Sequence, residues 1–208
     1  MAALPDVVVL AAGRSSRMGE PKGLVRVAGR PWLEVQLEAL ARAGLARVVV
    51  VLGFDRDAYA RALPDLARRV TVELNPDPDR GPFSSLQHGL GAVAGGAFVL
   101  PVDVPAASPP VWSALAHGLS GGGASRGRGP EATPRPAYEA AVPTLEGRGG
   151  HPVLLAPPLV RRLLAAPATS RLDHELAASR VIHVAVSDPR IRLNLNRPED
   201  WGTVDRGA

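Results

Sequence analysis

Five short runs of apolar, mostly β-branched residues limit how this chain can fold more than any other feature. They are Val7–Leu10, Val48–Leu52, Val70–Leu74, Phe98–Val102 and Val181–Val186. Runs this short, apolar on both faces, read as strands buried inside a sheet. Helical patterns lie between them. Trp32–Ala43 places Leu33, Leu37 and Leu40 on one face and stops at Gly44, a residue suited to a helix C-terminus. Ser84–Val93 opens on a capping residue and carries Leu86 and Leu90 on one stripe. Further helices are expected at Asp57–Ala67, Pro110–His117, Pro158–Ala165 and Arg171–Ala178. Alternation of strand and helix implies right-handed crossovers, and hence a three-layer α/β fold with a mostly parallel sheet and helices on both faces.

With 208 residues the chain fits one domain, residues 1–208, and its 46% hydrophobic but 4% aromatic composition predicts a core of Val, Leu and Ala. The stretch from about 120 to 136, rich in Gly and Pro and nearly devoid of apolar side chains, reads as a flexible inserted loop. The absence of cysteine excludes disulfides, thiolate zinc sites, iron–sulfur clusters and a cysteine nucleophile. No run approaches the roughly 18 apolar residues that span a bilayer, so no membrane association is expected. Asp6 interrupts the apolar start with no basic residue before it, so the expected location is cytoplasmic.

A net charge of +4 and a pI near 10.5 raise the question of nucleic acid. The arginines are scattered and no aromatic residues interleave with them, so an anionic small substrate explains the balance equally well and no nucleic-acid partner is expected. Of the 24 basic residues, 23 are Arg and one is Lys22. Either base composition left one lysine by chance, or position 22 needs a compact ammonium that a guanidinium cannot replace.

The loop after the first strand reads Leu10-Ala11-Ala12-Gly13-Arg14-Ser15-Ser16-Arg17-Met18-Gly19-Glu20-Pro21-Lys22. Its glycine spacing fits neither the dinucleotide nor the Walker pattern. It still offers small residues, hydroxyls and three cations at a strand's carboxyl end, which suits a polyphosphate. Asp103, in Pro101-Val102-Asp103-Val104-Pro105, ends an otherwise apolar strand. A carboxylate facing phosphates there calls for Mg2+ between them, and a turn aspartate is the plain alternative. Three weaker elements follow: Asn75-Pro76 with Gly81-Pro82-Phe83-Ser84-Ser85-Leu86, then Gly147-Arg148-Gly149-Gly150-His151-Pro152, then Asn194-Leu195-Asn196-Arg197-Pro198-Glu199-Asp200. Among the five histidines only His151 has such a setting. His88, His117 and His183 lie in expected helices or strands, and His174 on a solvated face.

Taken together and in order, these elements resemble the molybdenum cofactor cytidylyltransferases and their relatives, nucleotidyltransferases with a Rossmann-like core. That family's first loop runs approximately LAAGxSxRMGxPK, matched here at Leu10 to Gly13, Ser15, Arg17 to Gly19, Pro21 and Lys22. The resemblance implies transfer of a nucleoside monophosphate from a triphosphate to a phosphorylated acceptor such as molybdopterin, with release of pyrophosphate. Leu10, Ala11, Ala12, Gly13, Arg14 and Ser15, with Asn75, Ser84 and Ser85, would bind the nucleotide. Arg17, Lys22 and Asp103 would be catalytic, Asp103, Asn194 and Asn196 would hold Mg2+, and Arg148 and His151 would meet the acceptor. Ala12 points to CTP, because relatives with Gly at that place tend to use guanosine or thymidine triphosphate. A transient contact with a molybdoenzyme or its chaperone is also implied.

The match has departures. The family closes on Asp-Ile-Asp-Thr-Pro-Glu-Asp where this chain has Asn194, Asn196 and Arg197, and its Gly-Asp-x-Gly segment is replaced by Ala168-Thr169-Ser170-Arg171-Leu172-Asp173. A sugar- or polyol-phosphate acceptor, a guanylyltransferase and a non-catalytic nucleotide sensor therefore stand as alternatives. The reaction needs no general base, since a phosphate is already a nucleophile and the work is positioning and charge neutralisation.

Overall fold

The computed structural model describes residues 3–15, 18–121 and 137–202. Ten strands are found among them: β1 (Asp6–Ala11), β2 (Arg26–Val27), β3 (Arg30–Pro31), β4 (Val48–Leu52), β5 (Thr71–Leu74), β6 (Ala97–Pro101), β7 (Ala140–Leu145), β8 (Arg148–Gly149), β9 (Val153–Leu155) and β10 (Val181–Ala185). The helices are α1 (Trp32–Arg42), α2 (Arg56–Ala62), α3 (Leu66–Arg69), α4 (Pro82–Gly91), α5 (Pro109–Gly121), α6 (Pro157–Ala165), α7 (Leu172–Ala177) and α8 (Pro198–Trp201). The central sheet has the order β10-β7-β9-β6-β1-β4-β5, with β8 attached to β7. All neighbours on the path are parallel except β9, which runs against both β6 and β7.

Alternation along β1 shows how three layers arise. Val7 and Val9 point to one side, where they join Trp32, Leu33, Leu37, Leu40 and Trp112 from α1 and α5. Val8 points to the other, among Phe83, Leu86, Leu90, Leu159 and Leu163 of α4 and α6. Strands β1, β4 and β6 are thus buried on both faces, whereas β5 and β10, expected to be buried as well, lie at the two ends of the sheet and are partly exposed. Most of the buried aromatic residues lie on the first face, with Phe98 and Trp112 edge to face at 5.0 Å.

All five expected strands are present, and the helix ends follow local chemistry. Gly44, at φ 80°, closes α1: its N–H donates to the Ala41 carbonyl at 3.0 Å and that of Leu45 to Leu40 at 3.1 Å. This satisfies carbonyls a helix end leaves free. Three expectations need correction. The helix expected over Asp57–Ala67 is two pieces, α2 and α3, because Pro64 cannot donate and pushes Leu63 out of the helical region. The helix expected from Ser84 begins at Pro82, whose fixed φ suits a first turn, and Ser84 lies inside it with its hydroxyl donating to the Gly81 carbonyl. Helix α5 continues through Ser120 and Gly121, the first residues of the expected loop, and the rest of that loop lies outside the described residues.

Strands β7, β8 and β9 were not anticipated. β7 contains Pro143, ordinarily a mark against a central strand. The backbone of Pro143 faces the β9 side, where its carbonyl accepts from the Gly150 N–H at 3.0 Å. Pairing with β9 stops at Ala141, so the missing N–H leaves no gap in the ladder. A tight turn at Glu146 and Gly147, both at positive φ, reverses the chain from β7 into β8 and so sends β9 back antiparallel.

Candidate functional site

Strands β1 and β6 are parallel neighbours with Leu10 opposite Pro101, so the loop after β1 and the segment after β6 leave the sheet side by side. β1 also pairs with β4 on its other edge, which makes this the point where the strand order reverses. Open α/β sheets form their ligand crevice at such a point. A cavity of about 200 Å³ opens here, lined by Leu10, Ala11, Gly13, Ser15, Lys22, Tyr59, Val102, Asp103 and Asn196.

Lys22 is its centre. The ammonium Nζ donates to Asp103 Oδ2 at 2.6 Å and to Asn196 Oδ1 at 2.7 Å. The Lys22 and Asp103 side chains are 17% and 22% exposed, so solvent screens the pair only weakly. Each partner is held by its own backbone. The Lys22 N–H donates to Ser15 Oγ at 3.0 Å, and Ser15 itself has positive φ. Asp103 sits in a segment clamped by α1: Trp32 Nε1 donates to the Val102 carbonyl at 2.6 Å, Gln36 Nε2 donates to Val104 at 2.7 Å, and Gln36 Oε1 accepts from the Ala106 N–H at 2.7 Å. Leu195 N–H donates to the Asp103 carbonyl at 2.8 Å, which draws the closing segment in. Asp200 then secures it by accepting from the N–H groups of Asn196 and Arg197, each at 2.9 Å.

Tyr59 completes the cavity. It is 2% exposed, and its hydroxyl accepts from the Gly23 N–H at 3.1 Å. Burial pushes its phenol well above the ordinary pKa, so the hydroxyl stays protonated. A Cβ on Gly23 would fall 2.5 Å from that hydroxyl oxygen, so glycine is needed there for close approach. At Gly13 the reverse holds: among the described residues a Cβ would meet nothing within 4 Å, and φ is not in the left-handed region.

The other expected site residues are dispersed along the same edge. Ala12 packs against the exit of β4, where a Cβ on Gly53 would lie 2.9 Å from that of Ala12. Arg14 turns away from Lys22, pairing with Asp79 at 2.5 Å and lying 3.9 Å over the Phe54 ring. Asn75 is buried at the end of β5, its amide donating to Ser84 Oγ and Ser85 Oγ at 2.9 Å each and its Oδ1 accepting from Asp77 N–H at 3.0 Å. This network pins the 75–81 loop to the start of α4. Arg17 lies outside the described residues. The two asparagines separate: Asn196 N–H donates to the Asn194 carbonyl at 3.0 Å, a three-residue turn about buried Leu195 that leaves only Asn196 beside Lys22.

Asn194 lines a second cavity of about 440 Å³ with Gly149, Gly150, His151, Leu172, Asp173 and Arg192. A third, of about 330 Å³, lies on the other side of His151 against Leu10, Phe83, Pro101, Arg171 and Asp173. His151 therefore stands between two cavities beside the first. Its buried Nδ1 has no hydrogen-bond partner among the described residues. Burial lowers its pKa, against the upward pull of a hydrogen bond to the Val99 backbone and the charge of Asp103. Arg148, on the exposed strand β8, lines none of these cavities.

Sequence reasoning missed Tyr59, Trp32, Gln36 and Asp200. Only Asp200 left a trace, as the last residue of the Pro-Glu-Asp segment. Among the described residues no three His, Cys, Asp or Glu side chains gather as a metal site, and no helix is long and apolar enough to cross a membrane.

Residues 7–184 match the family described as the MobA-like NTP transferase domain. The chain is 35% identical over 203 residues to the molybdenum cofactor guanylyltransferase of Xanthomonas euvesicatoria pv. vesicatoria, covering 95% of this chain and 92% of that protein. It is 40% identical over 102 residues to the bifunctional protein GlmU of Pelotomaculum thermopropionicum, but spans only 22% of that longer protein and there uses 47% of its own length. Among solved structures, Rv0371c from Mycobacterium tuberculosis H37Rv superposes with a TM-score of 0.76 at 22% identity, over 100% of both chains. The same protein has been solved in complex with manganese, with a TM-score of 0.70 at 20% identity, over 99% of this chain and 100% of that one.

Proposed function

Because the chain belongs to the MobA-like NTP transferase domain family and is a nucleotidyltransferase of that type, we propose that it transfers CMP from CTP, with Mg2+, to a phosphorylated acceptor of the molybdopterin kind. The observation that carries this reading is the cluster of Lys22, Asp103 and Asn196 beside Gly13, at the crevice where the strand order reverses. An oxygen of the acceptor phosphate attacks the α-phosphorus in line. The new P–O bond forms as the bond from the α-phosphorus to the bridging oxygen breaks, and pyrophosphate leaves with that electron pair.

Lys22 neutralises phosphate charge with a compact donor on a flexible stem, and Arg17 adds to it on this reading. The backbone at Gly13 lets the triphosphate lie against the chain. Asp103 and Asn196 present a carboxylate and an amide oxygen to one point, a hard-oxygen pair suited to Mg2+, with phosphate and water oxygens completing the shell. When bound there, the cation supplies charge neutralisation at the phosphates. Asn194 is better read with His151 on the acceptor side, since the two line the same cavity. Ser84 and Ser85, joined to Asn75, hold the start of α4 in place on the nucleotide side.

The choice of cytosine rests on Ala12 through the family resemblance, in which Gly at that place goes with guanosine or thymidine triphosphate. GTP is the second reading, favoured by the guanylyltransferase relative. The test is pyrophosphate release with each ribonucleoside triphosphate and Mg2+, with and without molybdopterin. Release with CTP only when molybdopterin is present supports the proposal. Release with GTP alone overturns the base choice, and release with none overturns the acceptor.

A further inference from the structure

The contacts of Lys22 raise a question about order of binding. Its ammonium touches the two oxygens assigned above to the metal, Asp103 Oδ2 at 2.6 Å and Asn196 Oδ1 at 2.7 Å. A magnesium ion ligated by that pair would lie about 2.0–2.1 Å from each oxygen, in the space the ammonium fills. Two cations cannot share it, for reasons of room and of like charge. Charge balance points the same way. Among the described residues lining the cavity the only ionised groups are Lys22 and Asp103, one of each sign. With asparagine rather than aspartate at 196, nothing is left over to draw in a second cation.

Lys22 is also built to move. Its backbone is anchored by Ser15 Oγ on its own N–H and by Tyr59 on the next one. Rotation of its four-carbon stem can therefore carry the ammonium away without disturbing the loop. A triphosphate against Gly13 offers that ammonium a denser negative charge than one carboxylate does, and brings oxygens to complete a metal's shell.

We infer that Lys22 blocks the metal position in the nucleotide-free protein and that a nucleoside triphosphate releases it, so that divalent cation and nucleotide bind together. This rests on the reading of Asp103 and Asn196 as the metal-holding pair. The coupling is reciprocal: whatever factor the nucleotide adds to metal affinity, the metal adds to nucleotide affinity.

The experiment is a Mn2+ titration of the whole chain, read by the electron paramagnetic resonance signal of the free ion, alone and with the α,β-methylene analogues of CTP and GTP. Wild type should bind Mn2+ weakly alone and at least about tenfold more tightly with a bound analogue. Lys22→Met should bind Mn2+ without nucleotide about tenfold more tightly than wild type, a factor equal to about 1.4 kcal/mol and close to one charge-assisted hydrogen bond. Should that variant fold poorly, Asn196→Asp serves instead. It leaves one negative charge unmatched by Lys22 and should likewise tighten Mn2+ binding in the absence of nucleotide. Wild type binding Mn2+ alone as tightly as Lys22→Met and Asn196→Asp would overturn the inference. Mn2+ binding to none of the proteins, with or without an analogue, would overturn both it and the metal assignment. Because no step depends on turnover, a protein inactive with every acceptor tried but showing this pattern would sink the proposed reaction and leave the inference standing.

Discussion

Tyr59 offers the sharpest test of how the site is held, because it acts on Lys22 only through the backbone. Tyr59→Phe removes one oxygen, the acceptor 3.1 Å from the Gly23 N–H. Gly23 and Tyr59 are both buried, so no water readily replaces it. A buried donor left without a partner costs about 1–3 kcal/mol. For a chain of this size each kcal/mol moves the melting temperature by about 2–4 °C, so the expected fall is about 2–12 °C. Gly23 directly follows Lys22, so a loosened N–H also lets the ammonium wander from its place over the cavity. Turnover should drop about tenfold or more, the equivalent of about 1.4 kcal/mol of lost transition-state stabilisation. KM for nucleotide should change less, since the Gly13 backbone is untouched. The assays are calorimetry and steady-state pyrophosphate release on the same preparation. An unchanged melting temperature with unchanged kcat would refute the argument that this hydroxyl positions the lysine loop. A lower melting temperature with unchanged kcat would reduce Tyr59 to a core residue.

Gly23→Ala tests the same contact from the other side: a Cβ 2.5 Å from the Tyr59 hydroxyl oxygen forces a shift, with an expected loss of about 1–3 kcal/mol by denaturant melts, and a neutral outcome would contradict the packing. His151 should make stability depend on pH. Burial depresses its folded-state pKa, so the unfolded chain takes up the proton first and stability is lost as pH falls below about 6.5. His151→Gln should shrink the difference in melting temperature between about pH 7.5 and about pH 5.5, and an equal difference in variant and wild type would show that other groups govern it. Lys22→Arg should lower kcat about tenfold or more, because a planar fork does not fit between Asp103 and Asn196 as a compact ammonium does. Wild-type kinetics in that variant would assign the chain's one lysine to chance.

How much of this was legible depends on how far each feature reaches along the chain. The apolar runs of β1, β4 and β6 announce themselves because strands buried on both faces must be apolar throughout. The antiparallel turn of the sheet does not, because it hangs on Glu146 adopting positive φ, on a three-residue strand β9, and on a proline whose missing N–H happens to face the end of β9. Pro64 is a different case, since the break between α2 and α3 was available from the rule that a helix rarely continues through the residue before a proline.

The site divides on the same line. Residues that would face a ligand carry unusual chemistry and declare themselves locally: a lone lysine after a loop of small residues, or a carboxylate closing an apolar strand. Residues that hold them are ordinary core types whose partners lie far off in sequence. Tyr59 meets Gly23 across 36 positions, and Trp32 and Gln36 meet Val102, Val104 and Ala106 across about 70. Spacing along the chain carries no trace of such pairs until the order of strands brings them together. The two asparagines fall between these cases. Their chemistry is visible and identical, and period-two reasoning would set them on the same side. The tight turn at Leu195 separates them, and that turn exists because Leu195 is drawn into the core while its N–H is taken by the Asp103 carbonyl. The choice of Asn196 over Asn194 is thus made by burial of the residue between them, through a contact that reaches back 92 residues, from Leu195 to Asp103.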